Sequence, residues 1–368
     1  MDIYEELGIR PFLNAYRPLT RLGGATLPAA VVEAMQQASK QNIDLRTMQL
    51  KVGAAIAAMT GNEAAYVSCG AASGITLAVA TCIAGTNAEL ADRLPDATGL
   101  RRGVVMHKSE RGYKSDVAIR CAGGTIIDIG TQRGSTEYDL RQAIDARTAA
   151  IFVHDAPARG QLPLARVIAV ARELRIPVLV DAAFSVPPKE AVWKFTRDLG
   201  ADAVLISGGK GLRGPQSTGL VLGRSWIIQG CTFHGAPNDR IGRGMKVGKE
   251  ELAGVYAAVK ILMASDDRSA HAARLRQIDH VLACIRDLPQ LTVRSIGGVR
   301  AIINYGAAAY TLTPQSASRW LLEGTPSIYV EPAADGLIVS AECLEPGDEE
   351  IVGRRLRDLF EKNRRLAT

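Results

Sequence analysis

Short, continuous apolar runs alternate with longer segments of helical spacing through most of this chain. Ala65 to Ser68, Val104 to His107, Thr125 to Ile129, Ala150 to His154, Pro177 to Val180 and Ala203 to Ile206 are such runs, each bounded by glycine or polar residues. Runs of four or five with no polar alternation predict strands covered on both faces. Between them the spacing predicts helices at Ile75 to Ile83, Leu164 to Leu174 and Ala191 to Leu199. Strand and helix in alternation predict a mainly parallel sheet in an α/β layer fold. Two helices precede this region: Pro28 to Ser39, opened by proline, and Val52 to Met59, stopped by Thr60-Gly61-Asn62. Beyond Lys249 the texture changes. Helices at Glu250 to Met263, Ala270 to Leu288 and Asp348 to Leu359 enclose strand-like segments at Leu291 to Ser295, Ala301 to Asn304, Ser327 to Val330 and Gly336 to Ser340. We therefore expect a large domain over 46–250, a smaller α+β domain over 251–368, and residues 1–45 packing on the latter.

Composition narrows the class. A chain of 368 residues, 47% hydrophobic, can bury a large core without disulfides or structural metal. The six cysteines show no CxxC spacing and the five histidines no HxxxH, so no metal site is expected and a reducing, cytoplasmic setting is. The acidic start Met1-Asp2-Ile3-Tyr4-Glu5-Glu6 lacks the apolar core of a signal peptide, and no apolar stretch approaches membrane-spanning length. The net charge of +6 comes without a basic cluster longer than Arg101-Arg102 or Arg364-Arg365; it permits anionic ligands but does not indicate nucleic acid, and without a spanning stretch no membrane partner is expected.

Candidate chemistry concentrates at strand ends. Lysine is scarce, 11 against 33 arginines, yet one stands among glycines directly after a buried strand, in Ser207-Gly208-Gly209-Lys210-Gly211. Open α/β sheets bind ligands at that edge. Gly209, Gly211 and Gly214 also match a dinucleotide fingerprint, but Pro215 to Thr218 leads into the strand-like Gly219 to Leu222 instead of a helix, which excludes it. Asp181 closes the run Pro177-Val178-Leu179-Val180, where an unpaired carboxylate is costly. The 29 residues from Asp181 to Lys210 suit one strand–helix–strand crossover, which brings both to the same edge. A lysine amine and a carboxylate so placed suit pyridoxal 5′-phosphate, the amine forming the Schiff base and the carboxylate holding the pyridine nitrogen protonated; a structural ion pair is the alternative. The small-residue loop Cys69-Gly70-Ala71-Ala72 enters a helix and offers backbone N–H groups for a phosphate, helped by Ser207.

With these motifs in place, the chain resembles the fold-type-I pyridoxal-phosphate enzymes of the selenocysteine synthase-like group, which includes D-glucosaminate-6-phosphate ammonia-lyase. The resemblance covers nearly the whole length. It is carried by Leu13-Asn14-Ala15, Thr20-Arg21-Leu22-Gly23-Gly24, Thr60 to Ala65, the loop at 70–74, Leu94-Pro95-Asp96, Pro177 to Ala183, Ser207 to Lys210 with Gly214-Pro215-Gln216, and Lys246 to Glu250. It implies Lys210 as the Schiff-base lysine and Asp181 as the pyridinium partner. It implies Gly70 to Ala72 in the phosphate cup, His107 against the cofactor ring, Gln216 behind it, and Arg243 or Lys246 reaching a neighbouring subunit's phosphate in a homodimer or higher homo-oligomer. The chain departs from the family at Tyr16-Arg17-Pro18 and at Ser340-Ala341-Glu342-Cys343-Leu344, where some relatives place a carboxylate-binding arginine. Tyr16, Arg17, Arg21 and Arg213 are the substituted substrate contacts. The implied activity is α-proton abstraction from an amino acid or amino-sugar acid followed by α,β-elimination, of ammonia-lyase or dehydratase type. The alternative is epimerisation or racemisation at Cα, with a second acid among Cys69, His107, His234 and Tyr16. A tRNA-linked, selenocysteine synthase-like transfer is the third reading; the chain leaves no room for an N-terminal tRNA-reading domain before Asn14-Ala15.

Overall fold

The computed structural model describes residues 2–112, 115–155 and 160–365. Contacts divide the chain into two units, one running from Leu27 to Ala264 and one made of the residues up to Thr26 together with those from Ser265 onward.

The first of these is built on a seven-stranded sheet. Its order is Ala64–Ser68, Gly219–Gly223, Ala203–Ser207, Val178–Asp181, Thr148–His154, Gly103–His107, Thr125–Ile129. Only Gly219–Gly223 runs antiparallel to its neighbours. Every strand except Thr125–Ile129 is buried along nearly its whole length, which explains the continuous apolar runs. One face carries a core that includes Val67, Ile151, Val180, Ile206 and Leu220; the other includes Val104, Phe152, Leu179, Leu205 and Val221. The alternation Leu179/Val180 and Leu205/Ile206 between the two faces is the two-residue pleat. Helix Ala71–Ala84 lies against the second face and is buried over most of its length.

The unit containing the two termini holds an antiparallel four-stranded sheet, ordered Glu331–Pro332, Gly336–Ser340, Arg300–Tyr305, Leu291–Ser295. Helices Asp267–Ala283, Pro314–Glu323 and Asp348–Lys362 contribute to its core. The N-terminal segment enters through Leu13–Asn14, paired in parallel with Ile328–Tyr329.

The structure corrects several expected elements. The segment from Lys189 to Asp198 is not an α-helix: a 3₁₀ turn, Lys189–Val192, precedes a π turn, Lys194–Asp198. The expected strand 327–330 forms only Ile328–Tyr329 before Glu331–Pro332 pairs elsewhere. The second helix starts seven residues earlier than expected, at Leu45, because Asp44 accepts a hydrogen bond from the Thr47 N–H and caps it. Ser115–Cys121 and Glu137–Ala143 are further helices between strands, while Ala88–Arg93, Ser225–His234 and Pro314–Glu323 were not expected.

Candidate active site

The parallel strands all deliver their C-terminal ends to one edge, and the chemistry gathers there. Asp181 pairs with His154 on one side and with Leu205 on the other, and Leu205 lies two residues before Ser207. Ser207 and Ser68 both pair with Gly219, so the Lys210 loop and the loop at 69–72 leave the sheet side by side. The approach is close: a Cβ on Gly219 would fall 2.5 Å from the Gly70 carbonyl carbon and 2.6 Å from the Ala71 nitrogen. Gly70 adopts φ +86° and has open space where a Cβ would be. No side chain caps the helix that follows, Ala71–Ala84. Its first N–H groups have no partner within the helix, and the positive end of its dipole lies there.

Lys210 belongs to a tight loop. The Arg213 N–H donates to the Lys210 carbonyl at 2.9 Å, with Arg213 itself at φ +56°. A Cβ on Gly209 would collide with Gln216, and one on Gly211 with the Val186 carbonyl. These are the reasons for glycine around the lysine. Lys210 Nζ lies over the ring of Phe184, 3.1 Å from its centroid, so the loop after Asp181 meets the loop after Ser207. Phe184 is 45% exposed.

Asp181 is half-buried. Its Oδ1 accepts from the Ala183 N–H at 3.0 Å, and its Oδ2 lies 3.6 Å from His154 Nδ1. His154 Nε2 is 3.0 Å from Ser115 Oγ. With the serine donating, the imidazole carries its proton on Nδ1, toward Asp181. Burial holds His154 below the ordinary histidine range, opposed by the Asp181 charge. Glu110 completes the cluster: it is 2% exposed, and Oε2 accepts the His154 backbone N–H at 3.2 Å. Burial, with a smaller contribution from Asp181, pushes its carboxyl up to about 8. Sequence reasoning missed His154, Ser115 and Glu110. His154 ends a strand as His107 does, which was a usable signal; the polar run Lys108-Ser109-Glu110-Arg111 gave none.

His107 is 2% exposed, with Nδ1 2.6 Å from Ser135 Oγ, and burial lowers it to about 4, which makes it a neutral imidazole. Cys69 is half-buried and its thiol is raised, chiefly by burial. His234 lies away from this edge. Its Nε2 bonds the carbonyl of Gly85, which ends the 14-residue helix that Gly70 begins, about 20 Å along. Tyr16, Arg17 and Arg21 belong to the other unit. There Arg17 Nε is 3.3 Å from Glu342 Oε2, and Glu342 Oε1 is 3.5 Å from Arg300 Nε. Arg21 donates to Tyr329 Oη at 2.6 Å and to Glu331 Oε2 at 2.8 Å. Arg243 pairs with Asp239 at 3.1 Å.

The edge can hold a flat, phosphorylated aldehyde. It offers unpaired N–H groups beside an open glycine for the phosphate, an amine for the aldehyde, and a carboxylate backed by an imidazole for a ring nitrogen. Known proteins agree. A 5′-C-glycyluridine monooxygenase-decarboxylase from Streptomyces is 31% identical over 97% of this chain and 92% of its own length. The D-glucosaminate-6-phosphate ammonia lyase of Salmonella typhimurium is 28% identical over 98% of both chains. An L-seryl-tRNA(Sec) selenium transferase from Hyphomonas neptunium is 29% identical over 77% of this chain and 64% of its own. A solved D-glucosaminate-6-phosphate ammonia-lyase superimposes with a TM-score of 0.85 at 25% identity, covering 99% of each chain. No protein-family model matches. The chain belongs to the fold-type-I pyridoxal-phosphate enzymes of the selenocysteine synthase-like group, and pyridoxal phosphate is its expected cofactor.

Proposed function

We propose that this enzyme removes the α-proton of an amino acid or amino-sugar acid and expels a β-substituent, releasing a keto acid and ammonia. The observation that carries this reading is the placement of Lys210 and Asp181 after adjacent parallel strands, beside the open helix start at Gly70. Bound there, pyridoxal phosphate supplies an electron sink for charge developing at the substrate Cα.

The protein's own groups do the rest. The N–H groups of Ala71 and Ala72, with Cys69 and Ser207 flanking, hold the phosphate. Asp181, oriented by His154, would hold the ring nitrogen protonated. His107, fixed by Ser135, backs the site without charge, and Gln216 shapes the loop under Lys210. The Lys210 amine would take the Cα proton and return it to the departing hydroxyl, so that water leaves the β-carbon. Hydrolysis of the resulting enamine restores that water and frees ammonia. Arg213, held in the Lys210 turn, binds the substrate carboxylate. Six cysteines, none paired, suit a cytoplasmic enzyme; we place it there as a homo-oligomer. No described helix is long and apolar enough to cross a membrane.

The test is incubation of the cofactor-loaded protein with D-glucosaminate 6-phosphate, the substrate in the Salmonella relative's name, and with other β-hydroxy amino acids. Keto acid and ammonia in equal amounts are expected. The Streptomyces relative favours a second reading, bond cleavage at the same Cα with loss of carbon dioxide in place of the proton. Carbon dioxide release without ammonia would establish it. Deuterium uptake at Cα with inversion and no ammonia would instead establish an epimerase.

A further inference from the structure

A cavity of about 330 Å³ opens at the opposite edge of the same sheet, where the parallel strands begin. Val178, which opens the strand closed by Asp181, lines it, about 10 Å of strand away from that carboxylate. Three arginines surround it. Arg224 is neutralised, its Nη1 2.5 Å from Glu63 Oε1. Arg172 and Arg175 have no such bonded carboxylate, although the Asp202 charge acts on Arg172. Among the described residues neither guanidinium has a hydrogen bond or ion pair, and neither caps a carbonyl of the helix Leu164–Leu174 that carries them to the cavity. The backbone makes room for one of them: a Cβ on Gly200 would lie 2.6 Å from Arg172 Nη2. The carboxylate in the wall, Asp202, is committed to the Val178 N–H at 2.9 Å. Burial raises its carboxyl, opposed by that hydrogen bond and by the charges of Arg224 and Arg172. At the mouth stands Trp226, 43% exposed.

We propose that this cavity binds a nucleoside phosphate, with Arg172 and Arg175 on the phosphate oxygens and the nucleobase against Trp226. Two unpaired guanidinium forks at one concavity suit a phosphate dianion. An indole offers a stacking face that a bare phosphate would leave unused. The volume lies at the small end of ligand pockets and suits a mononucleotide partly open to solvent. A ligand at this edge contacts none of the groups around Lys210, so it is not the substrate of that site.

The test titrates the cofactor-loaded protein with ADP, with pyrophosphate and with adenosine, read by calorimetry and tryptophan fluorescence. One saturable ADP site is expected, with affinity reduced roughly tenfold or more in the R172A/R175A double variant. The chain has three tryptophans, so W226F identifies the reporter: it should abolish the fluorescence change and weaken ADP while leaving pyrophosphate unaffected. Both arginines are exposed, and an unchanged melting temperature and cofactor absorption band show that the double variant is folded. ADP binding that survives R172A/R175A, or no saturation up to about 10 mM, overturns the site. Equal affinity for pyrophosphate and ADP, unaltered by W226F, overturns the nucleoside assignment. None of these outcomes depends on which reaction occurs at Lys210.

Discussion

At the scale of single residues, the proposed reaction requires an amine at 210 and a carboxylate at 181. Lys210→Ala should eliminate the visible absorption band of the cofactor-loaded protein and reduce turnover by at least about 10³-fold, while the melting temperature stays close to that of the wild type. A persistent band would mean that another lysine is used. Glu110 gives a second prediction with a defined sign. Its folded carboxyl holds a proton up to about 8, whereas the unfolded one releases it near the ordinary 4.5. The native state therefore binds the extra proton between these values, and stability falls as pH rises through that window. Glu110→Gln retains an acceptor for the His154 N–H and has no proton to lose. It should melt within a degree or so of wild type at pH 5 and a few degrees higher at pH 8.5, by calorimetry. An equal offset at both values would show that Glu110 is not protonated in the folded protein. Lys210 and Asp181 were legible because glycine around a lysine, and a carboxylate ending an apolar strand, are both expensive unless used. Glu110 was not, because Lys108 to Arg111 reads as a solvated turn, and only the fold places its carboxyl under His154.

At the scale of elements, pairing register decides what the strand ends can do. Ser68, Gly219 and Ser207 lie abreast, and Gly219 has no side chain because the Gly70–Ala71 peptide occupies that space. Gly219→Ala must move either the strand or the helix start. We expect a cost of about 1–3 kcal/mol in stability and a pyridoxal-phosphate affinity at least about tenfold weaker. Both are readable, by denaturant melts and by fluorescence titration; full cofactor affinity would separate the Gly70 loop from phosphate binding. The strands of this sheet could be read from the chain because burial on both faces leaves no polar alternation to confuse the pattern. Their order could not, since nothing local to Gly219–Gly223 indicates that it inserts antiparallel between Ala64–Ser68 and Ala203–Ser207. The segment from Lys189 to Asp198 failed for a different reason. Its apolar spacing is helical, but Asn62 bonds the Val192 carbonyl that ends the tight 3₁₀ turn and the Thr196 hydroxyl within the wider π turn, so neither turn keeps α-helical geometry.

At the scale of the whole molecule, charge separates the enzyme reading from the tRNA-linked one. The chain carries +6, yet many of its arginines are engaged by carboxylates. Arg141 bridges Glu137 at 2.8 Å and Glu173 at 2.6 Å, Arg357 bridges Asp287 at 2.7 Å and Glu361 at 2.8 Å, and Arg111 holds Asp116 at 2.8 Å and also Asp128. Such pairs cancel the local field that a polyanion would follow. A protein making six to ten phosphate contacts loses about 10³–10⁵ in affinity between 50 and 200 mM salt, because each contact releases counterions. This protein should show weak tRNA binding at low salt, falling by no more than about tenfold across that range, in a filter-binding or mobility-shift series. A steep slope with saturation would require a continuous cationic surface that the ion pairs above would have to leave intact, and it would return the selenium transferase relative's chemistry to first place over ammonia release.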